Sequence, residues 1–282
     1  MREISPREVL FARSVLRFVP NWPKLLRTVA AYRLAGRQSN GRLRITLPPS
    51  RDGKGTSLDL DLTDWLQRLY ALGETDDGRR SALQALMPSG GVFVDVGANV
   101  GLYTCTMAAH VGARGHVYAF EPARANADAL RRNVALNHLP NVSILPFALS
   151  DRAERLDLYA PRGHTGGSSG SISARDPGAG VQVGSTQALR LDDVFSGSRL
   201  DAIKLDVEGF EPQVLGGAID TLRRFRPVVL CEVNVAEVLE VTLNLAQDLR
   251  LTPLIEMRGR LEPFRREVWT NDLFLVPEEM QA

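Results

Sequence analysis

Lys204, Asp206 and Glu208 occupy alternate positions in the otherwise apolar run Ile203-Lys-Leu-Asp-Val-Glu-Gly209. Side chains alternate along a strand, so Lys204 and Asp206 share a face and Glu208 emerges at the carboxyl end. Three ionisable groups in a buried strand cost free energy unless they are paired or put to use. One reading is structural, a Lys204–Asp206 ion pair that only fixes the sheet edge. The other is chemical: Asp206 and Glu208 lie beside an acceptor hydroxyl, and a carboxylate takes the proton that an alcohol loses on attack. Glu232 ends the run Val229-Leu-Cys-Glu232 in the same way and is expected close to Asp206. In the chemical reading Glu208 is the base, Asp206 orients it or a cofactor, and Glu232 contacts the acceptor. Asp206, Glu208 and Glu232 could instead hold a hard divalent cation through oxygen ligands. The positive charge that Lys204 already supplies favours the metal-free arrangement.

The second group of residues with chemical content is Val92-Phe-Val-Asp95-Val-Gly97-Ala98-Asn99-Val-Gly101-Leu-Tyr103-Thr104. A buried strand ends at Asp95, turns through Gly97 and Gly101, and enters a helix. In doubly wound sheets such a turn at a strand's carboxyl end is where ligands bind. Glu121, in Tyr118-Ala-Phe-Glu-Pro122, ends the next strand and can accept hydrogen bonds from both hydroxyls of a ribose. The spacing departs from the G-x-G-x-x-G of a pyrophosphate site. Asp95 would repel a pyrophosphate but attract a sulfonium and an α-amino group. The pattern D-x-G-x-N-x-G followed by F-E-P therefore fits S-adenosylmethionine better than NAD. The purely structural alternative is a tight strand-to-helix turn that binds nothing.

These residues need a frame, and the rest of the sequence supplies one. From residue 91 onwards strand and helix patterns alternate. Strands are expected at 92–96, 116–120, 142–147, 201–206, 227–233, 253–257 and 272–276, and helices at 101–111, 123–137, 212–224 and 236–249. That alternation predicts an α/β fold, a mostly parallel sheet with helices on both faces. The last two strands are expected to form a hairpin that leaves one edge strand antiparallel. Residues 161–188, rich in Gly and Ser and containing His164, read as a functional lid or a disordered insert. His164 is a solvated loop histidine or a base brought in by lid closure, whereas His110, His116 and His138 read as capping or packing residues. Upstream, helical spacing at 6–19 and 22–36, strand alternation at 43–47 and 57–62, and a helix capped by Asp64 predict an N-terminal α+β extension over 1–88. The catalytic domain then occupies 89–282.

Taken together these segments resemble the FkbM family of S-adenosylmethionine-dependent methyltransferases. The resemblance spans residues 57–276. It rests on Phe93 to Gly101, Phe120-Glu-Pro122, Asn137, Val142 to Asp151, Leu191-Asp-Asp193, Ile203 to Glu211, Val214-Leu-Gly-Gly217 and Val229 to Glu232. It implies a class I methyltransferase fold, a Rossmann-like sheet of seven strands with the last one antiparallel. It also implies that Gly97, Ala98, Asn99 and Gly101 lie against the methionine part of the cofactor and that Glu121, followed by Pro122, holds the ribose. Ala148, Leu149, Ser150 and Asp151 would flank the adenine, while Tyr103 and Thr104 cover the cofactor or merely pack. The implied reaction is O-methylation of a hydroxyl on a sugar, glycolipid or secondary metabolite, by direct displacement with carboxylate assistance, and S-adenosylhomocysteine is its product. Two competing readings are an NAD-linked reductase on a related sheet and a cofactor-binding partner protein without catalysis.

Composition narrows the setting. The 282 residues carry 34 Lys plus Arg against 33 Asp plus Glu, a formal charge of +1. That balance is uneven, because residues 1–44 hold ten basic against two acidic side chains, leaving 24 against 31 for the rest. An acidic main body without an aromatic-basic stripe argues against a nucleic-acid acceptor. The basic segment is expected to pack on the domain or form a dimer contact. Two distant cysteines, Cys105 and Cys231, exclude a disulfide framework and fit the reducing cytoplasm. No apolar stretch is long enough to span a membrane.

Overall fold

A computed structural model describes residues 41–47, 55–161, 173–174 and 180–280. The helices expected at 6–19 and 22–36, His164 and most of the Gly/Ser-rich stretch lie outside the described residues. The chain enters through an antiparallel ribbon, β1 (Arg42–Thr46) and β2 (Ser57–Asp61), which buries Leu43, Ile45, Leu58 and Leu60 on one face. Two helices follow, α1 (Trp65–Leu72) and α2 (Asp77–Leu86), and Asp64 caps α1 by accepting from the Gln67 N–H at 2.9 Å. This is the cap the sequence predicts.

The main sheet holds β3 (Val92–Val96), β4 (His116–Phe120) and β5 (Val142–Leu145), linked by α3 (Leu102–Val111) and α4 (Arg124–Leu136). A smaller sheet interrupts it: β6 (Ala148–Leu149), β7 (Glu154–Pro161) and β8 (Gly180–Leu189), in the order β6-β8-β7. Part of the expected 161–188 loop is therefore strand. Residues 181–185 are all exposed and only Thr186 and Ala188 are buried, so this strand carries little of the alternation that marks a half-buried one. The short helix α5 (Leu191–Val194) leads back to the main sheet at β9 (Ala202–Leu205). The helix expected over 212–224 is two, α6 (Glu211–Gly216) and α7 (Ile219–Phe225). It breaks at Gly217, where a Cβ would stand 1.9 Å from the Ser150 carbonyl oxygen.

The remaining elements are β10 (Val228–Glu232), α8 (Ala236–Leu249), β11 (Leu251–Met257), β12 (Arg260–Pro263) and β13 (Asp272–Pro277). The sheet order is β12-β11-β13-β10-β9-β3-β4-β5. β13, the last strand, is antiparallel to β11 as expected and also to β10, so it lies inside the sheet rather than at its edge. Its run Leu273-Phe-Leu-Val276 is buried on both sides, which requires neighbours at both edges as well as layers on both faces. The edge position falls to β12, an eighth strand added to the seven that the family resemblance implies. With that addition the architecture is the class I methyltransferase fold.

The period of two sorts the core into two layers. Phe93, Leu230 and Phe274 join Leu83, Met107 and the β1–β2 ribbon on one face. Val94, Val229, Cys231, Leu273 and Leu275 join Leu215, Leu222 and Leu245 on the other. The strand order reverses between β3 and β9, which run parallel, so that successive connections leave on opposite sides. That switch point opens a crevice at the carboxyl ends of the strands. None of the described helices is long and apolar enough to cross a membrane.

Candidate active site

The crevice at the β3/β9 switch point is a cavity of about 440 Å³. Its floor is the turn after β3. Gly97 takes φ 79°, and a Cβ there would lie 1.9 Å from the Asp206 carbonyl oxygen, so only glycine lets β3 and β9 end this close together. The N–H groups of Gly97 and Ala98 both donate to the Phe120 carbonyl at 3.0 Å. Asp95 is 1% exposed; one carboxylate oxygen accepts from the Thr104 hydroxyl at 2.5 Å, while Oδ1 has no hydrogen-bond partner. Burial pushes its pKa up, against Lys204 and Thr104, which pull it down.

Lys204 binds this floor to the opposite wall. Its Nζ lies 2.9 Å from Asp206 Oδ2 and 3.9 Å from Asp95 Oδ1, and stands 5.0 Å from the Tyr103 ring centroid. Burial alone would lower the pKa of this lysine, but the carboxylates led by Asp206 outweigh burial and raise it. The predicted Lys204–Asp206 pair is thus present. It sits in the middle of the sheet and faces the cavity, so a role confined to fixing a sheet edge is corrected.

Glu121 is held in place by its own loop. Its carboxylate accepts from Asn99 N–H at 2.8 Å, from Ala123 N–H at 2.9 Å and from Asn126 Nδ2 at 3.3 Å. Burial nevertheless drives its pKa up to about 7, because three donors only partly replace bulk water. Asn99 itself is left-handed at φ 51°, a conformation that Asn tolerates and that aims its N–H at Glu121.

The turn after β9 presents the acidic wall. Glu208 at φ 57° and Gly209 at φ 91° are consecutive left-handed residues. The buried Glu211 carboxylate ties the turn down by accepting from Val207 N–H at 2.8 Å, and the Ser173 hydroxyl donates to the Glu208 carbonyl at 3.0 Å. Burial, then Asp206 and Glu211, raises the Glu208 pKa to about 7. Glu232 is pushed well above the ordinary carboxylate range by burial and by Asp206 and Glu208, which brings the three carboxylates into one electrostatic group as the sequence predicts. Among the described residues no cluster of three or more His, Cys, Asp or Glu has the arrangement of a metal site.

Asp95, Gly97, Ala98, Asn99, Tyr103, Glu121, Pro122, Ala148, Leu149, Lys204, Asp206, Glu208 and Glu232 all line this one cavity. Four predicted residues do not. Gly101 begins α3 with its Cα against Leu130, and Thr104 lies below the floor, reaching the site only through Asp95. Ser150 is fully buried and donates to Glu154, while Asp151 is exposed beside Arg152. Ala148 and Leu149 line the cavity from within the small sheet as β6, and Ser150 continues the pairing by donating its N–H to the Leu189 carbonyl at 2.9 Å; that sheet is what the sequence did not reveal.

The cavity also has a side that motif reasoning missed. Tyr70, Glu74, Asp76 and Arg79 from α1, α2 and their connection line it, as do Asn271 and Asp272 at the start of β13. Arg79 pairs with both Asp76 and Asp272. Nothing in the spacing of these residues marks them, because they come from segments almost 200 residues apart. Phe147 and Phe210 are lining residues for which a signal existed, since each adjoins a motif residue. The other histidines pack: His110 Nε2 lies 3.0 Å from the Met87 carbonyl, and His116 Nε2 lies 2.8 Å from Ser143 Oγ.

A sequence model described as "Methyltransferase FkbM domain" matches residues 95–256, more than half of the chain. The chain is 32% identical over 162 residues to methyltransferase sdnD of Sordaria araneosa, an alignment covering 47% of this chain and 62% of that protein. The chain thus matches less than two thirds of the length of that curated relative. Among solved structures it is similar to methyltransferase FkbM from Methylobacillus flagellatus, at 16% identity and TM-score 0.48, over 74% of this chain and 52% of that one. It is also similar to an S-adenosylmethionine-dependent O-methyltransferase from Thermotoga maritima, at 18% identity and TM-score 0.40, over 71% and 63%.

Proposed function

The chain belongs to the FkbM methyltransferase family, and from that premise we propose that it transfers a methyl group from S-adenosylmethionine to a hydroxyl of a small molecule or glycan. The observation that carries this reading is a single cavity in which Glu121 and the Gly97–Asn99 turn adjoin Asp206, Glu208 and Glu232 around Lys204. Asp95 Oδ1, which accepts no hydrogen bond, and the buried Glu121 carboxylate suit a ligand that brings an ammonium group and ribose hydroxyls.

When bound, the cofactor supplies an electrophilic methyl group on a sulfonium. Displacement at that carbon asks the protein mainly for alignment and exclusion of water. Glu121 accepts from the ribose hydroxyls, with Pro122 beside it, and Asp95 with Gly97, Ala98 and Asn99 receives the methionine end. Ala148 and Leu149, together with Phe147 and Leu158, form the apolar slot for the adenine. Tyr103 covers the methionine end next to Lys204. Glu208 takes the acceptor's proton, Asp206 orients that carboxylate, and Glu232 contacts the acceptor. Lys204 pairs with Asp206, and its charge stands where a divalent cation would otherwise be needed.

Acceptors of secondary metabolism and glycans fit this reading, as does a homodimer formed through the basic segment at 1–44. The free buried thiols Cys105 and Cys231 support a reducing cytoplasmic setting. Calorimetry with S-adenosylmethionine, S-adenosylhomocysteine and NAD is the first test, and binding of NAD alone would overturn the reading. In a methyl-acceptor panel, Glu208→Gln is expected to lower kcat by about 10²–10⁴-fold while leaving S-adenosylhomocysteine affinity within about threefold. A chelator should leave the wild-type rate unchanged; loss of activity restored by Mg²⁺ would replace the metal-free mechanism.

A further inference from the structure

The geometry points to an acceptor subsite, walled by Tyr70, Asp76, Arg79 and Asp272, that admits neutral polyhydroxylated or amine-bearing acceptors and excludes carboxylates and phosphates. This inference rests on the methyl-transfer reading and deepens it. Among the described residues, eight carboxylates and two cations line the cavity. Both cations are already spent. The two terminal nitrogens of Arg79 go separately to Asp272 and Asp76, and Lys204 lies between Asp206 and Asp95. The bound cofactor adds a single net positive charge, which leaves the cavity acidic.

The presence of a ligand site rests on more than this acidic lining. Asp95, 1% exposed, lines the same cavity, and its Oδ1 accepts no hydrogen bond and has only the Lys204 ion pair at 3.9 Å. An anion entering here gives up hydration and meets no free cation, because each of the two cations is held between two carboxylates. A hydroxyl or ammonium group instead donates to those carboxylates. Arg79 is the switch residue of this selection, because its fork matches a carboxylate or phosphate when free and is closed while Asp76 and Asp272 hold it. Asp272 stands directly opposite Glu232 in the β10–β13 ladder, so this wall adjoins the proposed acceptor contact. Asp76, Arg79 and Asp272 all lie outside residues 95–256, the part matched as the family's domain.

The test uses the full chain loaded with S-adenosylhomocysteine and titrated with inorganic phosphate by calorimetry. The wild type is expected to show no saturable binding. The isosteric double variant Asp76→Asn with Asp272→Asn, which frees the guanidinium, is expected to bind phosphate at least about tenfold more tightly, and Arg79→Gln added to it should remove that gain. Saturable phosphate binding by the wild type that Arg79→Gln abolishes overturns the proposal. So does a double variant that melts like the wild type and gains nothing. In the acceptor panel, a carboxylate or phosphate compound as the best acceptor overturns it as well. Failure of S-adenosylhomocysteine to bind would sink the cofactor reading separately, and the phosphate titration of the unloaded protein would still decide this one.

Discussion

Glu121, Glu208 and Glu211 each have a carboxyl pKa raised from 4.5 to about 7, in every case chiefly by burial. A carboxyl whose folded pKa exceeds its unfolded one contributes stability that is complete below the unfolded value and is lost as pH rises through the folded one. The ligand-free protein is therefore expected to melt at progressively lower temperature between about pH 5 and pH 7.5, from these groups. S-adenosylhomocysteine should reverse part of that loss, because ribose hydroxyls donate to ionised Glu121 and pull its pKa down. Its stabilising effect is thus expected to grow over the same interval. Differential scanning fluorimetry at several pH values, with and without S-adenosylhomocysteine, measures both trends. A ligand-induced shift that is constant with pH would show that Glu121 does not meet the ribose.

Between elements, the unusual joint is the outer edge of β2. The N–H groups of Ser57, Asp59 and Asp61 would template another strand if left open. They donate instead to the side-chain oxygens of Asn137, Asn133 and Gln67, each at 2.8 Å. Asn133, fully buried, also donates to the Val100 carbonyl at 2.8 Å and so joins the ribbon to the turn that carries the cofactor loop. Asn133→Ala strands a buried N–H and a buried carbonyl together and is expected to cost about 1–3 kcal/mol for each group left unpaired. Urea unfolding of Asn133→Ala measures it. A loss below about 0.5 kcal/mol would mean that water replaces the amide at this joint.

Over the whole molecule, the ribbon and its two helices do not have a core of their own. Leu43, Leu58 and Leu83 pack in the same cluster as Phe93, Met107 and Phe274. Thermal unfolding is expected as one transition, moved upward as a unit by S-adenosylhomocysteine, with about 2.7 kcal/mol at a ligand concentration a hundred times Kd. A separate early transition for the residues before the main sheet, seen by proteolysis or hydrogen exchange, would show that they form an independent unit. The same shared core explains why the cavity wall draws on α1 and α2: packed on the main sheet, they bring Tyr70 and Arg79 to the strand ends.

The sequence by itself determined what local chemistry determines. Alternation within Ile203–Asp206 put Lys204 and Asp206 on one face, glycines at 97 and 101 marked the turn, and Glu121 followed at the end of the next strand. Each of those signals is local to its own segment, and the strand period of two or a glycine's steric freedom makes it readable. Parallel order around the switch point followed from the alternation of strands and helices. Tertiary structure alone decided the rest. β13 enters between β10 and β11 because its apolar run needs partners at both edges, a demand visible only once the sheet exists. Ser150 and Asp151 fall outside the site although β6, Ala148–Leu149, lines it from within the small sheet: Ser150 is buried against Glu154 and Asp151 is exposed. Arg79 meets Asp272 across a sequence distance that no motif spans, and their pairing depends on how the first helices pack against the main sheet.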